Sequence, residues 1–167
     1  RNRARFLLET LDATRQALGK HYPVWCRLNG QEYGMENGIT IEETMTTARW
    51  AQEHGADAIH MTAVGKGQWL HMPFTRSRGE IMHLVAAVKK AVDVPVIAVG
   101  SIDLELAEKV LQNKQADLVS IGRGIVADPE LPRKAAEGRQ QDIRPCIMCL
   151  ECLNAIMFLG APIHCSV

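Results

Sequence analysis

Apolar positions along the chain follow two rhythms that take turns. Residues 2–18 place Phe6, Leu7, Leu11 and Leu18 at helical spacing and stop at Gly19, which predicts an amphipathic helix. Residues 23–28 (PVWCRL) are a short apolar run and predict a buried strand. Thr40-Ile41-Glu42-Glu43 has the form of a capping box and opens a helix to about residue 54, closed by Gly55. Residues 56–62 (ADAIHMT) predict the second strand. Ser77-Arg78-Gly79-Glu80 repeats the capping pattern and predicts a helix to about residue 91. Residues 94–99 predict a third strand whose Pro95 suits a strand start. A helix over 103–111 and a strand over 117–121 follow. Asp128-Pro129 then reads as an N-cap with proline at the first helical position.

Four strands thus alternate with helices, which is the pattern of an α/β fold with a parallel sheet. The strands are near-continuous apolar runs, as expected for strands covered on both faces. Two closures satisfy the pattern: an open doubly wound sheet, or half of a (β/α)8 barrel, whose full form needs about 250 residues.

Composition narrows the function classes. Apolar residues make up 47% and charged residues 23% of the 167, and 19 basic residues balance 19 acidic ones. A net charge of zero gives no electrostatic case for nucleic acid or a membrane surface as partner. No apolar run approaches the roughly 18 residues of a membrane span. The start, RNRARF, lacks the apolar core of a signal peptide, so a cytoplasmic location is expected. The absence of an initiator Met and the abrupt end at Val167 give the expectation of a fragment of a longer protein.

The chemistry gathers at strand ends, where parallel α/β folds bind ligands. The first strand ends on Arg27, a rigid positive fork for an anionic ring or phosphate, or else the partner of a neighbouring carboxylate. The third ends Gly100-Ser101, before a helix N-terminus, and the fourth Gly122-Arg123. Two glycine-bearing tips with an arginine make a phosphate cup from backbone donors, a helix dipole and Arg123. Glycine is also simply common in such turns. Residues 63–75 form a long loop in which His71, beside Trp69, is a candidate proton donor or a surface histidine.

The cysteines add a second chemistry. Cys26 stands alone, whereas Cys146, Cys149 and Cys152 form C-x2-C-x2-C, with Cys165 twelve residues further on. Three thiolates at three-residue steps can wrap one face of an iron–sulfur cubane, and a distant fourth closes it. Zinc, with His164 as an alternative ligand, prefers two separated knuckles. A disulfide framework spreads its cysteines more widely. A cluster relays single electrons, and a flavin is its natural partner.

Residues 2–9 (NRARFLLE), the strand VWCRL at 24–28, the tip IAVG at 97–100 and IGRGIVADP at 121–129 resemble the flavin barrel of the Old Yellow Enzymes. The tail resembles that family's iron–sulfur branch, which includes 2,4-dienoyl-CoA reductase, 2-enoate reductase, bile-acid enone reductases and trimethylamine dehydrogenase. The resemblance implies that residues 1–140 are strands five to eight of a TIM barrel holding FMN, followed by an iron–sulfur segment at 141–167. It implies that Arg27 faces the flavin pyrimidine edge and that Gly100, Ser101, Gly122 and Arg123 hold the FMN phosphate. Cys146, Cys149, Cys152 and Cys165 would ligate a [4Fe–4S] cluster. FAD and NAD(P)H would bind in domains outside this chain, which would be partners together with the rest of the barrel and a further copy of the protein. The implied activity is NAD(P)H-dependent reduction of an activated C=C bond in an enone or enoyl thioester. The alternatives are oxidation of a small amine or a non-catalytic zinc-stabilised α/β module.

Overall fold

The computed structural model describes residues 2–65 and 77–167. Helix α1 (Arg5–Leu18) leads into strand β1 (Trp25–Tyr33), α2 (Ile41–Glu53) and β2 (Ala58–Gly65). Then come α3 (Met82–Lys89), β3 (Val96–Ala98), α4 (Leu104–Gln112) and β4 (Leu118–Val119). Two short helices, α5 (Arg123–Ala127) and α6 (Leu131–Ala136), and a 3-10 turn at Gln140–Asp142 precede α7 (Glu151–Met157).

The first predicted capping box is real. The Thr40 hydroxyl accepts from the Glu43 amide, and the Glu43 carboxylate accepts from the Thr40 amide. The second is not formed: residues 78–81 make a turn with Gly79 at φ +69°, and α3 starts later, with Ile81 at its N-cap and no side-chain cap. A backbone that turns through a left-handed residue cannot present Ser77 to a helical N3 amide. Asp128 closes α5 instead of opening a long helix, although its carboxylate still accepts from the Glu130 amide.

All four strands run parallel in the order β1-β2-β3-β4. Each crossover therefore steps the same way around the sheet. A doubly wound sheet needs a reversal of strand order, so this is the topology of a barrel segment. Ile59, Met61, Val96 and Ala98 meet Leu84, Val85 and Val88 of α3 in a dry layer. Burying each large aliphatic side chain there contributes about 1.5–3 kcal/mol. Burial along β2 alternates strictly, which departs from strands covered on both faces. His60 and Thr62 lie on the half-buried face. That face corresponds to a barrel interior, which is filled by layers drawn from eight strands, and four strands supply only part of each layer.

Candidate functional site

Arg27 is exposed on β1, directly across from the half-buried His60 on β2. Its Nη2 donates to Thr62 Oγ1 at 3.1 Å, which aims the guanidinium toward the carboxyl ends of the strands. Burial, and then the charge of Arg27, push the His60 imidazole below its ordinary range. His60 is therefore neutral at pH 7 and leaves Arg27 as the positive charge of that pair. Its Nε2 is buried and has no hydrogen-bond partner among the described residues.

The tips of β3 and β4 form the opposite side of the rim. Gly100 has φ +131° and Ser101 φ +54°, so the chain turns sharply through two left-handed positions. The backbone angle at Gly100 favours glycine, and a Cβ there would crowd Ile81 Cγ1 at 3.2 Å. The turn brings Ser101 Oγ to Arg123, whose Nη2 donates to it. Gly122 sits at the N-cap of α5, where an added Cβ would meet nothing within 4 Å. The expected helix-dipole contribution is smaller than the sequence implies. Asp103 already caps α4 by accepting from the Leu106 amide at 2.9 Å, and α5 has only five residues. Side-chain charge and the turn backbones are the main attractions left for an anion.

These elements enclose a cavity of about 550 Å³, within the usual range for a small-molecule or cofactor site. Arg27, Gly100, Ser101, Gly122 and Arg123 all line it, and so does Cys146. His71 lies outside the described residues.

The cysteine segment is tied to the barrel by a buried carboxylate. Asp128 accepts from Lys134 Nζ at 2.6 Å and from the Arg144 amide at 3.0 Å. The bond from Lys134, followed by the Arg144 amide, lowers the Asp128 carboxyl to about 2. Beyond this clamp the chain winds through Met148 and Leu150, both left-handed, around the first two cysteines. The Met148 amide donates to Cys146 Sγ at 3.4 Å. Cys149 Sγ lies 3.0 Å from Ser166 Oγ, and Arg144 Nη1 donates to the Val167 carbonyl at 3.1 Å, so the tail bearing Cys165 returns to the loop. The Ser166 contact lowers the Cys149 thiol. Burial raises that of Cys152, and the charges of Arg123, Cys146 and Cys149 all reach it. His164 turns toward Glu151, with Nε2 3.8 Å from Oε1. Cys26 is a different case: buried in the core beneath the helices, its thiol is pushed up to about 11 and stays protonated.

Among the described residues no three His, Cys, Asp or Glu side chains form a closed metal-binding group. The loop gathers soft donors on one path, suited to iron or zinc, without drawing them to a single point.

Sequence reasoning missed three contributors. Thr62 orients Arg27, Asp128 clamps the cysteine segment, and Arg78 reaches the carbonyl of Cys146. Thr62 was discoverable as the last residue of the strand expected at 56–62, although β2 continues to Gly65. The other two act across folds of the chain that no local pattern displays.

The model of the family described as NADH:flavin oxidoreductase / NADH oxidase matches residues 1–142. An NADH oxidase of Thermoanaerobacter brockii is 38% identical over 172 residues, covering 99% of this chain and 26% of that protein. Among solved structures, a 2-naphthoyl-CoA reductase in complex with 2-naphthoyl-CoA aligns with a TM-score of 0.87 at 31% identity, over 98% of this chain and 25% of that one. Histamine dehydrogenase from Rhizobium sp. 4-9 aligns at 0.84 and 26% identity, over 98% of this chain and 24% of that one. The chain spans about a quarter of the length of each.

Proposed function

Because the chain belongs to the NADH:flavin oxidoreductase / NADH oxidase family, we propose that it supplies the flavin-phosphate side and the iron–sulfur segment of an enzyme that reduces an activated C=C bond with NAD(P)H. The observation that carries this reading is the single cavity lined by Arg27, Gly100, Ser101, Gly122, Arg123 and Cys146. The donors fit the cofactors. A glycine turn with a left-handed backbone, open space at Gly122 and two arginines suit a phosphate and an electron-rich ring edge. The thiols of Cys146, Cys149 and Cys152, with Cys165 on the returning tail, suit a [4Fe–4S] cluster. When bound, FMN supplies hydride chemistry and the cluster single-electron relay.

The chain's own residues have separate tasks in this reading. Arg123, with Ser101 as its hydrogen-bond partner, holds the phosphate. Arg27, kept in place by Thr62 and facing a neutral His60, stabilises negative charge at the ring edge. Residues 1–140 form the barrel part and 141–167 the cluster segment. The substrate is a small conjugated acid, ketone or thioester, in line with the similarity to 2-naphthoyl-CoA reductase. The similarity to histamine dehydrogenase supports a second reading, oxidation of a small amine.

The test is anaerobic substrate screening of the full-length polypeptide. NAD(P)H oxidation that depends on an added enone or enoyl thioester supports the reductase. Bleaching of the flavin by an amine without NAD(P)H supports the second reading. Neither response in protein that carries flavin contradicts both.

A further inference from the structure

Arg78 lines the same cavity, is given no task in the function proposed above, and bridges the two halves of the site. Its Nε faces Asp103 Oδ2 at 3.2 Å, and its Nη2 donates to the Cys146 carbonyl at 2.9 Å. Asp103 lies two residues beyond Ser101 and caps α4 through its other oxygen. The next residue, Gly79, donates its amide to the Gly100 carbonyl at 2.9 Å. The segment at Arg78 is thus held to the turn after β3 by the backbone of its neighbour Gly79 and by its own side chain on Asp103. Its guanidinium extends from there to the first residue of the cysteine loop.

We propose that Arg78 is a positioning residue that holds the Cys146 end of the cysteine loop against the anion-binding rim, through one guanidinium shared between Asp103 and the Cys146 carbonyl. The proposal rests on the cluster reading for its electronic consequence, but not for the docking itself. A planar fork with fixed donor directions suits this task, because two acceptors on different elements determine its orientation. The ion pair is partly exposed and by itself contributes little. The charged hydrogen bond to a carbonyl adds to it, so losing both lowers the docking equilibrium constant of the loop by about tenfold. The positive charge next to Cys146 also favours the more negative, reduced state of any cluster bound there.

The experiment uses the full-length holoprotein and its Arg78→Ala and Arg78→Lys variants. It reads hydrogen exchange of the amides of residues 146–150, the midpoint potential of the cluster and the FMN content. Arg78→Ala is expected to leave FMN content unchanged, speed exchange about tenfold and shift the potential downward. Arg78→Lys, which keeps the charge but not the fork, is expected to restore the potential and leave exchange faster than in the parent. Unchanged exchange and potential in Arg78→Ala overturn the proposal. So does loss of FMN with loop exchange unchanged, which makes Arg78 a phosphate ligand. Should the alanine variant fail to fold, loop exchange in Arg78→Lys equal to the parent overturns it. A parent protein without iron defeats the cluster reading, and the exchange comparison still decides the docking.

Discussion

Single charged side chains set the chemistry of this site, and each carries a distinct expectation. Arg123→Gln removes a cation from the rim while keeping a donor for Ser101. A charge-assisted hydrogen bond is worth about 1.5–3 kcal/mol, so flavin titration followed by fluorescence should show FMN affinity weakened roughly ten- to a hundredfold. Arg27→Met is expected to leave FMN bound and to lower turnover about a hundredfold, the usual loss when one preorganised donor at a developing charge is removed. Steady-state rates on flavin-loaded protein check it. Asp128 has a carboxyl held at about 2, below its ordinary 3.8. A group depressed in the folded state stabilises fully above its unfolded value and loses that contribution as pH falls through the folded one. The parent should therefore lose stability between about pH 4 and pH 2, and Asp128→Asn should be less stable at neutral pH and flatter across that window. Thermal melts at stepped pH compare the two.

Individual elements show what local sequence can and cannot announce. The box at Thr40–Glu43 forms as written, because both of its bonds are made within four residues. Thr40→Ala should cost about 1 kcal/mol in denaturant unfolding. The same pattern at Ser77–Glu80 fails, because Gly79 adopts a left-handed angle and its amide is drawn to the carbonyl of Gly100, just beyond β3. The alternation of strands and helices, the glycine tips and the cysteine spacing were all legible in the chain. The links between them were not: Arg78 and Cys146 are 68 residues apart, and Asp128 and Arg144 are 16 apart. Gly100 marks the boundary between the two kinds of information. Its presence at a strand tip is visible in sequence, but the contact that would crowd a side chain comes from Ile81. Gly100→Ala should lower stability by about 1–3 kcal/mol and release FMN, as measured by unfolding and by flavin content after gel filtration.

At the scale of the molecule, strand order decided what hydrophobic pattern left open. Periodicity allowed either a doubly wound sheet or a barrel. The order β1-β2-β3-β4 selects the barrel type, which like the alternative places a site at the carboxyl ends of the strands. All five rim residues predicted from sequence face that end, and the cysteine loop folds back onto the same cavity. The proposal stands or falls on rim and loop forming one redox site. Its most direct test is cofactor analysis of the anaerobically purified full-length polypeptide. One FMN per chain is expected, together with about four iron and about four acid-labile sulfide. Zinc in place of iron, or iron in a protein that binds no FMN, would contradict it.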